Sequence, residues 1–354
     1  MQARDFYKGR GAQLNTPNKF NRNTYIKAYW EGIDEDEIEH SDKSEYLEVF
    51  PKTIINEVNS LDLPLEYSLN PYQGCEHGCL YCYARDTHQY WGYNSGIEFE
   101  QKIMVKKNAP QLLEAAFQKP NWEPKTIMLS GNTDCYQPAE RTYGITRKLL
   151  ELCLKYKHPV GIITKNSLVE RDLDIIKELN QLGLVHVVIS ITTLNEDLRR
   201  VLEPRTVTAQ RKLKTVKLFS DHGIPVTVLM APVIPGLNSH EVFEVATAAS
   251  KAGAKGFSHS IVRLNGSIAD VFVDWVKKVF PDRAEKVING IKECHGGKLN
   301  DSRKGIRMKG EGQTAEMIKN MVKLAQEKFF GHQAYPQLNK NIFVRNKRGQ
   351  LSLF

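Results

Sequence analysis

The sequence predicts an α/β protein built on a partial barrel of six strand–helix units, and three observations lead there. From Glu66 to about position 265, short β-branched and apolar runs alternate with longer amphipathic stretches. The runs are apolar on successive residues rather than alternate ones, as in strands covered on both faces. Glycines stand at or beside the ends of the later amphipathic stretches, a normal helix stop. A parallel sheet covered by helices follows. Six units make a three-quarter barrel rather than a closed eight-unit one, and sites in such folds gather at the C-terminal ends of the strands.

Residues 1–65 form the first segment, polar and irregular, with KGRGAQ, Asn-rich turns and an acidic run from Glu31. They read as an extended arm without strands. The core, 66–265, opens with EYSLN, which leads into a cysteine-rich loop. TIMLS (126–130), VGIIT (160–164), HVVIS (186–190), VTVLM (226–230) and FSHSIV (257–262) supply the other strands. Between them, ITRKLLELCLKY, LDIIKELNQLG, AQRKLKTVKLFSDHG and HEVFEVATAASKAG read as helices. Residues 266–343 form a basic, mainly helical extension. There IADVFVDWVKKVF and TAEMIKNMVKLAQEKF flank CHGGKLNDSRKGIRMKGEGQ, whose glycines and lysines suggest a mobile loop. Residues 344–354 are a terminal tail.

No apolar run approaches the ~20 residues that span a bilayer, and the first segment lacks the apolar core of a secretory signal. A cytoplasmic protein without a membrane partner is expected. The net charge is +8, unevenly placed: Trp275 to Phe354 holds 17 Lys/Arg against 7 Asp/Glu, and the rest 32 against 34. Such segregation serves solubility in many proteins; it is also what a phosphate-binding surface requires.

Three of the six cysteines, Cys75, Cys79 and Cys82, fall inside eight residues. That spacing is poor for a disulfide framework and good for metal ligation in a reducing compartment. C-x3-C-x2-C offers three thiolates from one loop, whereas a [4Fe–4S] cluster has four irons, so one iron is left open to chelation by an amino acid's amine and carboxylate. Structural zinc wants four protein ligands, and His77, between two of the cysteines, is awkwardly placed to be the fourth.

The pattern C-x3-C-x-aromatic-C after a first strand resembles the signature of the radical S-adenosylmethionine (SAM) superfamily. The strings CYARDTHQYWG, GIEFEQKIMVKKNAPQLL and SGNTDCYQPAE resemble its spore photoproduct lyase-like branch, and KGRGAQLNTPNKF resembles a bacterial group within it. The resemblance implies a (β/α)6 radical SAM barrel over 66–265 and SAM on the open iron of a [4Fe–4S] cluster. It implies reductive cleavage of SAM to a 5′-deoxyadenosyl radical, fed by a flavodoxin or ferredoxin-type electron donor. In that family Tyr81 helps seat the adenine, and Thr133 and Asp134 contact the methionine amino group. Lys165 approaches ribose or carboxylate, while Ser190 and Arg205 are placed for ribose hydroxyls and carboxylate. An arginine suits the carboxylate because its planar fork donates two parallel hydrogen bonds. Each polar residue also has a plainer reading, as a strand-end or loop residue that caps a helix.

Spore photoproduct lyase uses a cysteine as hydrogen donor beside the Ser/Thr–Asp pair, where this chain has Asn132. Cys135 lies three residues later: either it takes that catalytic role or it is a small buried residue. Cys153 falls in an apolar helix pattern and reads as core. Cys294 reads as a surface loop residue, or more speculatively as a radical relay.

The chain ends Gln350-Leu351-Ser352-Leu353-Phe354. This resembles the peptide by which bacterial repair and replication proteins dock on the DNA polymerase sliding clamp, two apolar anchors and a directional hydrogen bond on an unstrained tail. The tail, the basic C-terminal portion and the lyase resemblance all point to nucleic acid. The leading expectation is a DNA-repair-like radical SAM enzyme. The alternatives are radical chemistry on a small molecule or protein side chain, and a non-enzymatic clamp-tethered DNA-binding iron–sulfur protein.

Overall fold

The computed structural model describes residues 7, 9–20, 43–60, 62, 65–331 and 337–345. Ten strands are β1 (Glu45–Val49), β2 (Ile55–Glu57), β3 (Tyr67–Leu69), β4 (Tyr72–Gln73), β5 (Lys102–Lys106), β6 (Ile127–Leu129), β7 (Val160–Thr164), β8 (Val185–Ser190), β9 (Val226–Val233) and β10 (Gly256–Ile261). The helices are α1 (Ile97–Gln101), α2 (Ala109–Phe117), α3 (Glu140–Tyr143), α4 (Ile145–Lys155), α5 (Leu173–Gln181), α6 (Glu196–Leu202), α7 (Ala209–Asp221), α8 (Val242–Lys251), α9 (Ile268–Val279), α10 (Ala284–Cys294) and α11 (Gly312–Phe330).

Seven strands form one sheet in the order β10-β9-β8-β7-β6-β3-β2. All neighbours are parallel except β2, which runs antiparallel to β3 on the edge. The six parallel strands are the six runs read from the sequence, and among the described residues the sheet stays open between β10 and β2. β6 is buried throughout, and Ile162, Val187 and Val228 at the sheet centre are fully buried. Burial on both faces explains why these strands carry continuous apolar runs.

The arm departs from expectation. β1 pairs parallel with β5, which pairs antiparallel with β4 to make a three-stranded sheet beside the cysteine loop. Both arm strands are short, and β1 borrows the edge of the distant β5, so local pattern alone did not reveal them. α10 was also unforeseen. Gly290 interrupts its apolar pattern, yet a Cβ there would stand 2.8 Å from the Pro235 side chain, so the glycine lets helix and loop touch. Cys294 ends α10 fully buried, correcting the surface reading: Val287, Ile288 and Ile291 share its buried face. The stretch after it is tied down rather than free. Leu264 donates its amide to Leu299 and Ile261 to Met308, both at 2.9 Å, and Arg307 pairs with Asp62 at 2.6 Å.

Residues 337–345 run beneath the N-terminal ends of the strands, opposite the site. Asn339 donates its amide to Gly183 at 2.8 Å and Val344 to Tyr156 at 3.0 Å. Phe343 joins Phe117, Tyr156 and His158, with ring centroids 5.8 Å, 6.5 Å and 5.6 Å away. Residues 350–354, the clamp-like peptide, lie outside the described residues, as does the acidic run after Glu31. No helix among the described residues is long and apolar enough to cross a membrane.

Phe117 is fully buried in this aromatic cluster, so Phe117→Ala is expected to cost about 3–5 kcal/mol. Urea unfolding checks it; an unchanged midpoint would show that the cluster contributes little.

Candidate functional site

The cysteine loop leaves β4 and ends in a 3-10 helix over Tyr83–Trp91. Backbone bonds hold it from several sides: Cys75 donates its amide to Phe99 (2.9 Å), Leu80 to Leu202 (3.1 Å), and Arg205 to the carbonyl of His77 (3.3 Å). At its centre Arg85 is fully buried. It donates to the carbonyls of Cys79, Ser95 and Gly96 at 3.0, 3.2 and 2.9 Å, and to Glu100 at 2.6 Å. Glu100, equally buried, accepts the amides of Gly11 and Ala12, each at 2.8 Å, and Arg10 donates to its carbonyl at 2.7 Å. Here the KGRGAQ string acquires a physical reason. A Cβ on Gly11 would lie 1.9 Å from the carbonyl oxygen of Gly78, so only glycine lets the arm press against the loop.

Burial raises the pKa of all three thiols, most strongly at Cys75, where Asp134 and the other two cysteines add to the rise. Against this, Arg85 and Lys165 favour the Cys82 thiolate, and Lys165 and Lys212 that of Cys79. Among the described residues no three His, Cys, Asp or Glu side chains converge as the ligands of one ion would. A [4Fe–4S] cube distributes its thiolates over separate irons, so such convergence is not required. Three neighbouring thiols, two buried and the third half-buried, with cations beside Cys79 and Cys82, fit that cluster's donor chemistry.

The strand ends supply the rest. Asp134, after β6, accepts from the amide of Tyr136 and the hydroxyl of Thr164 on one oxygen, and from the amide of Lys165 on the other, all at 2.8 Å. His77 faces Asp134 at 3.4 Å, and burial lowers its pKa, which favours the neutral ring. Lys165, after β7, spans the barrel mouth. Its ammonium donates to Ser190 (2.8 Å), Thr192 (3.0 Å), Glu203 (3.0 Å) and the carbonyl of Ala231 (3.3 Å), and lies 5.5 Å from the Tyr81 ring centroid.

Glu203 is fully buried and gathers this network: Tyr81 and Thr192 donate to it beside Lys165, and Lys212 reaches its other oxygen at 3.2 Å. Burial alone would push its carboxyl up, but Lys165 and Lys212, with the two hydroxyl bonds, hold it well below the usual carboxylate range. Burial lowers the pKa of Lys212. In Lys165 the opposing effect of Glu203 and Cys79 outweighs burial, and the pKa rises.

Tyr81, Asp134, Lys165 and Ser190 thus come together beside the cysteine loop. Arg205 stands at the rim, half-exposed, its guanidinium 3.9 Å from Glu76. Thr133 is buried and donates to the Tyr72 carbonyl at 2.6 Å. Cys135 is fully buried in the main core with Leu69 and Tyr72, and burial pushes its thiol pKa well up, a placement that favours core packing. Asn132 bridges strand ends instead, bonded through its amide to Asn70 at 2.7 Å and through its side chain to Gln73 and Thr87. Glu203 and Lys212 were not foreseen. Glu203 lies in the same LEPRT string as Arg205, but Lys212 sits in a helix whose lysines all look alike in sequence.

Comparison with known proteins follows this geometry. Residues 69–249 match the family model of the Radical SAM superfamily. An uncharacterized protein of Mycobacterium tuberculosis is 33% identical over 238 residues, covering 66% of this chain and 70% of that one. One from Methanocaldococcus jannaschii is 28% identical over 181 residues, 51% of this chain and 65% of that one. A solved spore photoproduct lyase mutant with bound AdoMet and dinucleoside spore photoproduct superposes with a TM-score of 0.60 at 16% identity, covering 81% of this chain and 80% of that one. At that identity the likeness is one of fold.

Glu203→Gln leaves two buried lysines without their shared counter-charge, an expected loss of about 3–5 kcal/mol at neutral pH. The depressed pKa sets the sign. Glu203 contributes its full stabilisation above the unfolded carboxylate value near ~4.3 and loses it as pH falls toward the folded value. Unfolding midpoints of both proteins should therefore converge in acid; a gap that stays constant to low pH would refute the coupling.

Proposed function

The chain belongs to the radical SAM superfamily and is an enzyme, and from that membership we propose that it reductively cleaves S-adenosylmethionine to act on nucleic acid, in the manner of a DNA-repair enzyme. The observation that carries the reading is the cysteine loop: three neighbouring thiols, two buried and one half-buried, with cations beside Cys79 and Cys82. Cys75, Cys79 and Cys82 would hold a [4Fe–4S] cluster that, with SAM bound, supplies one-electron cleavage of the sulfonium and a 5′-deoxyadenosyl radical.

The chain's own residues do the positioning. Tyr81 presents a ring fixed at its hydroxyl by Glu203. Asp134 offers carboxylate oxygens to an ammonium, and the Lys165 amide and Thr164 hydroxyl hold it in place. Lys165 and Ser190 present donors suited to ribose hydroxyls, and Arg205 at the rim presents a fork for a carboxylate. Thr133 supports the loop through Tyr72. Surrounding burial keeps water from the reacting carbon. Cys135 is the hydrogen donor only if its loop turns outward, and its packing speaks for a structural role.

The basic balance after Trp275 supports a phosphate-bearing substrate. A sliding clamp would engage Gln350–Phe354, and the anchoring of 337–345 beneath the barrel would direct such a tail away from the site. A reduced flavodoxin or ferredoxin-type protein in the cytosol would deliver the electron.

Anaerobic reconstitution with iron and sulfide, then dithionite and SAM, should yield 5′-deoxyadenosine, and Cys79→Ala should abolish it. Equal product from both proteins, or none from either, overturns the cleavage reading. Affinity for a DNA oligonucleotide should fall steeply between about 50 and 200 mM salt; binding that ignores salt would turn the substrate toward a small molecule or a protein side chain.

A further inference from the structure

Away from the strand ends, three large aromatic side chains stand in water, two of them stacked on each other and the third next in the chain to one of these. Tyr90 and Trp91, the last residues of the 3-10 helix, are 71% and 40% exposed, and Phe20 of the arm is 50% exposed. Phe20 and Tyr90 stack with centroids 4.8 Å apart and planes 33° from parallel. The Lys19 ammonium lies 5.1 Å from the first ring and 5.9 Å from the second.

This group is held in place. Asn18 donates to the carbonyls of Gln89 and Tyr93 at 3.0 and 2.9 Å, and the Lys19 amide donates to the Gln89 side chain at 3.1 Å. Gln89 is itself buried and bonded to Ser95 and Ser267. Leaving such rings in water forgoes the stabilisation their burial would bring, so a fixed exposed group of them marks a surface kept for a partner. Flat faces with a cation beside them suit bases and phosphates. An apolar protein anchor would gain nothing from the ammonium, and a bilayer would call for a broader apolar face.

We infer that Phe20, Tyr90 and Trp91, with Lys19 above the first two rings, form a stacking platform for unpaired bases of a DNA strand whose target nucleotide occupies the site. The inference rests on the nucleic-acid reading and adds where the strand lies. The same 3-10 helix begins at Tyr83, directly after Cys82. At about 2.0 Å per residue it carries the track about 14 Å from Tyr83 to Tyr90.

The test uses the full-length reconstituted protein and a labelled oligo-dT, followed by fluorescence anisotropy across a salt series. The Phe20→Ala/Tyr90→Ala double variant should bind at least about thirtyfold more weakly, because each of the two lost base stacks is worth about 1–3 kcal/mol. Its salt slope should not change, since no phosphate contact is removed. Lys19→Gln should reduce the slope by about 0.7, and Trp91 fluorescence should be quenched as DNA binds. Formation of 5′-deoxyadenosine without DNA should be the same in all these proteins. Wild-type affinity retained by the double variant would overturn the platform while leaving the nucleic-acid reading in force. Absence of salt-dependent binding by the wild type would remove both. Tighter binding of oligo-U than of oligo-dT would overturn the assignment to DNA.

Discussion

A single buried ion pair, Arg85 with Glu100, holds together the parts on which the site depends. Burying two charges is costly, and the geometry repays it only when every remaining donor and acceptor is used. Here they are used closely: Arg85 ties the carbonyl of the second cysteine to those of Ser95 and Gly96 just before α1, and Glu100 collects two amides of the arm. The cysteine loop, α1 and the arm therefore behave as one unit rather than as a loop with a loose segment laid over it. Removing either partner alone would strand an uncompensated charge among the groups that fix the thiols.

A second constraint is electrostatic. Three thiols and the Asp134 and Glu203 carboxylates crowd one end of a sheet, in surroundings that disfavour charge. Lys165, Lys212 and Arg85 are drawn in from different elements to balance them. Lys165 does most of the bridging, since it connects the ends of β7, β8 and β9 to the ring that follows Leu80. The same contacts that keep these cations buried leave their polar heads arranged around the space beside the loop. Structure and site are thus built from the same side chains.

The six core strands were legible because burial on both faces forces continuous apolar runs, and the runs begin and end within a few residues of β3 and β6 to β10. Strand-end residues such as Asp134, Lys165 and Ser190 were singled out through the family resemblance, and the structure places them at the barrel mouth. Glu203 and Lys212 were not, because charged residues in a helix-like pattern read as solvent-facing until a partner is found in three dimensions. β1, β2 and α10 escaped notice on other grounds: β1 exists through its pairing with the distant β5, β2 is only three residues long, and Gly290 breaks the apolar rhythm of the third. KGRGAQ read only as part of a polar, irregular segment, whereas Gly11 is there for close contact with Gly78.

Whether one iron of the cluster is left for the substrate is most directly read by Mössbauer spectroscopy of protein reconstituted anaerobically with 57Fe. Addition of SAM should alter the signal of one iron in four and leave the other three as they were. A spectrum without a [4Fe–4S] component, or one in which SAM changes no iron, would contradict the assignment of this loop and everything built around it.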